Sequence, residues 1–519
     1  MTPHTAILPE AAAPAVAIPT ARRPWHQFFR PSLTDVLFII MLFWLFMADP
    51  AGWSALLRDG DVALHTRTGD YILDHGHVPT ADPFSFTKPG ERWYAFQWLT
   101  GVVFAALNRW AGLKGIVLLC GVVIALYLTL LTRDMVRRGS TGLLAILLVL
   151  IASNASAIHF HARPHLFTLL FLVAANALVA RDRQQPSRRI WLLAPLTVLW
   201  VNMHSGFPAL FAVMGALVAG CLLSRQWSQA RRYAAVLAVC ALATLINPNG
   251  ITLHLHIAKF LNNPWAMANI NEYQSPIFRG EAMELYMGIL FLALLVCARH
   301  FARQEWTECL WILMFAAGSL TSARHVPLFI VTVLPLIGAA ATELWIEWTA
   351  GKSRASVLGV LADLSKNATA NLQPLSVWAF VMVAGVALFS NPHNWPTDLS
   401  EKYFPRPVAH QFAPQLAAAR VFTTDQWGDY LLWTGYPRQR VFMDGRSDFF
   451  GEKIGREYTT VLNAGSGWRQ ILDRYQVNMI LLPPDTPLLE LLAFDRRWQV
   501  LYRDQQAELL ARTTVRAYP

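Results

Sequence analysis

The residues best placed to do chemistry are two aspartates one residue apart. Asp59 and Asp61 sit in RDGDVALHTRTGDYILDHGHVPTADPFSFT, just after the first long apolar run. Two carboxylates this close can hold a divalent cation such as Mg2+ or Mn2+. Alternatively they repel, so that one keeps its proton to higher pH and serves as a base. A second group is HFHARPH at 159–165, where Arg163 could grip a phosphate with His161 and His165 beside it. A third is WVNMHSGF at 200–207, with Asn202 and His204, and a fourth is SARH at 322–325, with Arg324 and His325. His65 and Gln97 are further candidate substrate contacts. The bland alternatives are an acidic, helix-capping loop for the aspartates and headgroup snorkelling for the arginines.

These residues are few against an apolar background. Of 519 residues, 55% are hydrophobic and 15% charged, with mean hydropathy +0.35. Soluble domains carry about 25% charged residues. The composition therefore excludes a disordered chain and an ordinary soluble enzyme, and points to a mainly α, polytopic membrane protein. The net charge of +10 lies in short clusters between apolar runs, which argues for membrane topology and against nucleic acid. The five cysteines fall in or beside apolar runs and imply neither a disulfide framework nor a cysteine metal site.

Apolar runs at about 34–52, 113–132, 141–158, 164–180, 190–203, 206–223, 233–247, 284–299, 307–321, 326–346 and 375–391 predict eleven spans. The segment 93–110 is ambiguous, because counting it as a span reverses every later loop. Reading it as a juxtamembrane or re-entrant helix puts the clusters Arg22/Arg23/Arg30, Arg133/Arg137/Arg138, Arg181/Arg183/Arg188/Arg189, Arg225/Arg231/Arg232, Arg299/Arg303 and Lys352/Arg354/Lys366 on the cytoplasmic side. Residues 1–33 are then a cytoplasmic, disordered N-terminus followed by a retained signal anchor, since no small-residue cleavage site follows the first run. Residues 34–391 form the membrane domain, with a large first outer loop at 53–112. Residues 392–519 form an outer-face (periplasmic) α/β domain, with strands at 420–424, 440–444 and 477–482 and a closing strand pair. The stretch 350–373 reads as a polar cytoplasmic linker. In this orientation ten of the fifteen histidines fall on outer turns. The pairs His75/His77, His159/His161 and His254/His256 leave a transition-metal site as a minority reading, for no HExxH-like signature accompanies them. Asp425, Asp429, Asp444, Arg446 and Asp448 of the tail read first as turn and cap chemistry, with Arg446 paired to a neighbouring Asp.

With these motifs in hand, the chain resembles the GT-C superfamily of membrane glycosyltransferases. It is most similar to the protein O-mannosyltransferase and aminoarabinose transferase branch, including its uncharacterised bacterial members. The resemblance rests on the multi-span body, Asp59-x-Asp61, HARPH (161–165), and the tail motifs TTDQWGDYLLW and VFMDGRSDFFG. It implies a polyprenyl-phosphate sugar donor, with a glycan, lipid or protein acceptor at the outer face of the inner membrane. It also implies inversion at the anomeric carbon, with Asp61 or Asp59 as base or metal ligand. Arg163 and Arg324, aided by His161, His165, His204 and His325, would then stabilise the departing phosphate. The family often has an acidic residue after the Arg-Pro of the second motif. Here it is His165, which weakens a two-carboxylate metal scheme. The competing readings are a flippase for a lipid-linked precursor and a non-catalytic membrane scaffold.

Overall fold

The computed structural model describes residues 28–47, 52–389 and 395–513. The Ala/Pro-rich start of the chain, with Arg22 and Arg23, lies outside the described residues. After α1 (Leu33–Met47) comes the first loop, which folds as two helices, α2 (Asp61–His75) and α3 (Trp98–Ala111). α2 stops where Gly76 turns left-handed (φ 72°) and donates its N–H to Ile72 O. The two helices cross at Gly69 and Gly101, so closely that a Cβ on Gly69 would overlap the Gly101 carbonyl. α3 has 14 residues, about 21 Å of helix, too short to cross a hydrocarbon layer of about 30 Å. Trp110 at its end is 84% exposed.

The body continues with α4 (Leu113–Arg137), α5 (Gly142–Ser156), α6 (His165–Gln184), α7 (Leu193–Met203), α8 (Pro208–Leu223), α9 (Trp227–Ala243), α10 (Ile251–Leu261) and α11 (Pro264–Asn269). It closes with α12 (Glu281–Ala302), α13 (Trp306–Thr321), α14 (Val326–Thr349), α15 (Val357–Asn371) and α16 (Val377–Phe389). Within the described residues every expected run is mainly helical, while residues 48–51 and 390–391 of the runs at 34–52 and 375–391 lie outside them. Among the described residues five helices are long and apolar enough to cross a membrane: Leu113–Arg137, Gly142–His159, His165–Gln184, Glu281–Ala302 and Ala323–Thr349. The other described helices are shorter. The run at 190–203, for example, divides between a 3-10 turn, Arg188–Leu192, and the 11-residue α7. The stretch read as a polar linker contains a helix. This is α15, capped by Ser356, whose Oγ accepts from Gly359 N–H at 3.1 Å.

The tail contains α17 (Arg406–Gln411), α18 (Ala413–Ala417), β1 (Val421–Thr423), α19 (Asp425–Gly435), α20 (Ser447–Leu462), α21 (Trp468–Arg474), β2 (Met479–Leu482), α22 (Pro487–Leu492), β3 (Trp498–Arg503) and β4 (Glu508–Arg512). Its sheet has the order β1-β2-β4-β3, parallel between β1 and β2 and antiparallel elsewhere. The strand expected at 440–444 does not form. Val441 makes only isolated bridges, to Val421 and to Ser85 of the first loop, and the chain then turns at Gly445. That bridge ties the two regions together. Phe86 N–H donates to Val441 O at 3.0 Å and Val441 N–H to Phe84 O at 3.1 Å. One continuous hydrophobic core runs from the helices into the tail.

Candidate active site

The first loop, the turns 157–165, 204–207, 244–280 and 321–325, and the tail meet around one cavity of about 890 Å³. α2 begins at its edge. Asp59 Oδ1 accepts the Asp61 N–H at 2.9 Å, which fixes the first turn of α2 and turns both carboxyls to the cavity. The turn before α6 brings Arg163 against them. Its Nη1 lies 3.0 Å from Asp59 Oδ2 and its Nη2 lies 2.6 Å from Asp61 Oδ2. Glu272, between α11 and α12, also binds Arg163 Nη1. Arg324 follows α13; its Nη1 donates to Tyr273 Oη at 2.6 Å, and its Nε is 3.8 Å from Glu272.

The charge states follow from burial and neighbours. Burial is the largest influence on Asp61 and pushes its carboxyl up. Arg163 opposes this, Asp59, Glu272 and Asp425 add to the rise, and the group sits at about 7. Burial pushes Glu272 up as well, but Arg163 and Arg324 outweigh it and hold it at about 2. His65, one turn after Asp61, is pushed down to about 3 by burial and by Arg163. It lines the cavity as a neutral imidazole.

His204 also faces the cavity, and its tautomer can be deduced. Trp200 Nε1–H donates to Thr168 Oγ1 at 2.8 Å, so the Thr168 hydroxyl proton is free for His204 Nδ1, 2.7 Å away. Gly206 N–H donates to the same Nδ1 at 3.0 Å. Nδ1 is therefore an acceptor and Nε2 carries the hydrogen. His165 is the same tautomer, fixed by a different contact. Its Nε2 donates to the His159 carbonyl at 2.6 Å, leaving Nδ1 as an acceptor.

Several expected contacts lie elsewhere. His161 does not line the cavity; its Nε2 bonds Ile158 O at 3.1 Å. Asn202 is 8% exposed and fully engaged. Its Oδ1 accepts from Trp98 Nε1 at 2.8 Å, and its amide donates to Val198 O and Ile246 O, each at 2.8 Å. Gln97 and His325 line the cavity, though His325 Nδ1 donates to Gly318 O at 3.1 Å. Arg163 is not an open phosphate grip, because three carboxylates occupy its fork. Arg324 and the His204 Nε2–H are the open donors.

The donor set does not suit a divalent ion. Among the described residues no three His, Cys, Asp or Glu side chains converge as a metal cage, and the guanidinium of Arg163 stands where a cation between Asp59, Asp61 and Glu272 would go. The His-x-His pairs do not chelate. His75 stacks on Tyr71, while His254 bonds Thr244 and His256 bonds Asp448.

Sequence reading missed Glu272 and Tyr273, because nothing local marks a lone Glu-Tyr in a polar turn. It also undervalued the tail. Arg446 is paired with Asp444 as expected, but it reaches Asp82 of the first loop too. Asp425 and Asp448 line the cavity, and Gln426 Oε1 accepts the Gly60 N–H at 2.6 Å.

No protein-family model matches the sequence, and none of the curated proteins does. Solved structures do match. The oligosaccharyltransferase of Archaeoglobus fulgidus in the apo form aligns with TM-score 0.51 and 12% identity over 88% of this chain and 69% of that one. The archaeal oligosaccharyltransferase AglB from Archaeoglobus fulgidus, in complex with an inhibitory peptide and a dolichol-phosphate, gives 0.52 and 14% over 87% and 69%. ArnT from Cupriavidus metallidurans bound to undecaprenyl phosphate gives 0.49 and 14% over 93% and 99%. Identities this low speak of fold alone: the chain shares the fold of the archaeal oligosaccharyltransferase.

Proposed function

We propose that this protein is a membrane glycosyltransferase that moves a sugar from a polyprenyl-phosphate donor to an acceptor hydroxyl. The observation that carries the reading is one cavity lined by both charged or polar and apolar side chains: Asp61, Arg324 and His204 together with Ala212 of α8, Met314 and Phe315 of α13, and Leu328 of α14. Met314 lies two turns from the α13 terminus at Thr321. A lipid phosphate needs both environments at once. The fold adds support, since the archaeal AglB structure is a complex with a dolichol-phosphate.

In this reading the phosphate sits against Arg324 and the His204 Nε2–H, while Arg163 clamps and orients Asp61. The acceptor oxygen attacks the anomeric carbon as its proton passes to Asp61. The sugar–phosphate bond breaks, and its electron pair leaves with the phosphate, which Arg324 and His204 stabilise. Attack opposite the leaving phosphate inverts the anomeric centre. The tail and the cavity lie outside the membrane, with the N-terminus cytoplasmic, because the basic clusters then face inward.

The experiment is transfer from radiolabelled polyprenyl-phosphate sugars in membranes, comparing the wild type with Asp61→Asn. Transfer that is lost in the variant at equal expression is expected. Equal transfer in both removes Asp61 from the chemistry, and failure of the purified wild type to bind undecaprenyl phosphate removes the donor class.

A further inference from the structure

Asp429, in the second turn of α19, is fully buried. Its Oδ1 accepts the Gly445 N–H at 3.0 Å. Its Oδ2 is the one buried carboxylate oxygen without a hydrogen-bond partner among the described residues. It faces Asp61 across two glycines. A Cβ on Gly445 would stand 2.5 Å from Asp61 Oδ1 and 3.0 Å from Asp429 Oδ2, and a Cβ on Gly60 would stand 3.0 Å from the same Asp429 oxygen. Glycine at both positions lets the two carboxyls crowd one point.

We propose that Asp61 and Asp429 share a single proton, held on Asp429, so that the tail domain supplies a positioning residue for the base of the membrane domain. The surroundings decide which acid keeps the proton. Asp61 faces Arg163, at 2.6 Å, together with Asp59 and Glu272. Asp429 faces Asp444, Asp61 and Asp425, and among the described residues it makes no ion pair. The Arg446 guanidinium, next in the chain after Gly445, is already paired with Asp444 and Asp82. A buried carboxylate with no counter-ion is strongly disfavoured, whereas the protonated acid can donate from Oδ2 toward Asp61. Burial, the largest influence, pushes Asp429 well above the usual carboxylate range, and Asp444 and Asp61 add to the rise. Asp61 then stays ionised against Arg163, and its affinity for the acceptor's proton is set by the docked tail. The pairing is independent of the glycosyl-transfer reading; only the role of Asp61 rests on it.

The test is infrared spectroscopy of the purified full-length protein in an ester-free detergent at about pH 7.5, where an ordinary aspartate has lost its proton. A carboxylic C=O band is expected in the wild type, lost in Asp429→Asn, kept in Asp425→Asn and shifted in Asp61→Asn. No such band in the wild type, or its survival in Asp429→Asn, overturns the proposal. Gly445→Ala retains both acids but wedges a methyl group between them, and should move the band even where Asp429→Asn folds poorly; an unmoved band overturns the pairing. Melting gives a second readout. A proton bound in the fold and released on unfolding makes stability fall as pH rises. From about pH 7 to about pH 9, above the histidine range, the wild type should lose more melting temperature than Asp429→Asn, and equal slopes count against the shared proton. Neither readout uses a donor, so both stand if glycosyl transfer is never observed.

Discussion

Arg446 Nη1, from the tail, lies 2.8 Å from Asp82 Oδ1 in the first loop, and both side chains are almost wholly buried. The same guanidinium forks onto Asp444, with Nε 2.7 Å from Oδ1 and Nη2 2.6 Å from Oδ2, and stacks 4.4 Å from the Trp93 ring. This one cation neutralises an acid from each side of the junction and holds Gly445 and Ser447 at the cavity. Arg446→Met strands both carboxylates, so it should cost about 3–5 kcal/mol. Limited proteolysis is expected to release the tail from the variant and spare the wild type. Arg446→Lys should recover part of the loss, because it keeps the charge without the fork.

Asp61→Asn should lower transfer by about 10²–10⁴-fold, the usual range for a positioned general base. Asp59→Asn should cost less, since Asp59 acts through the Asp61 N–H and Arg163. Initial rates at saturating donor, with donor binding measured separately, distinguish the two.

Activity and acid stability both rise with pH, but in different ranges. A base at about 7 must be ionised to work, so transfer should rise with pH through that value, and Asp61→Asn should flatten the rise. Glu272 is depressed from 4.5 to about 2, so its stabilisation is complete above 4.5 and lost as pH falls through about 2. His65 is depressed from 6.5 to about 3, so below 6.5 the unfolded chain takes up a proton that the fold refuses, and stability falls as pH drops toward 3. His65→Gln should soften the decline between 6.5 and 3, as read by melting temperature.

Gly69→Val should force α2 and α3 apart, because its side chain would overlap Gly101. A cost of about 1–3 kcal/mol is expected from overpacking. Since α2 carries Asp61 and His65, transfer should fall in parallel with melting temperature, and Gly288→Ala on α12, whose Cβ meets nothing within 4 Å, should leave both unchanged.

Asn202→Ala should destabilise by about 1–3 kcal/mol, because it leaves the Trp98 indole N–H and the Ile246 carbonyl without their partner. KM for donor should not change. A raised KM at normal stability would restore Asn202 as a substrate contact.

The sequence by itself determined the class and the end of the molecule that matters. Low charge and apolar runs made a helical membrane body inevitable, and costly polar groups such as Asp59, Asp61, Arg163, His204 and Arg324 had to gather where the runs break. It also foreshadowed the tail strands at 420–424 and 477–482 and the closing pair, because strand alternation is a local signal. It did not show which runs become long helices, since an apolar run does not reveal where a 3-10 turn will shorten one, as at 188–192. The partners were decided only by the tertiary structure. Asp61 meets Asp429, which lies 368 positions further along the chain, and Arg446 meets Asp82, because the tail folds back onto α2. Glu272 takes the Arg163 fork that a phosphate was expected to fill. Those encounters depend on long-range packing around two glycines, Gly60 and Gly445, and no local spacing encodes which buried charge will find which.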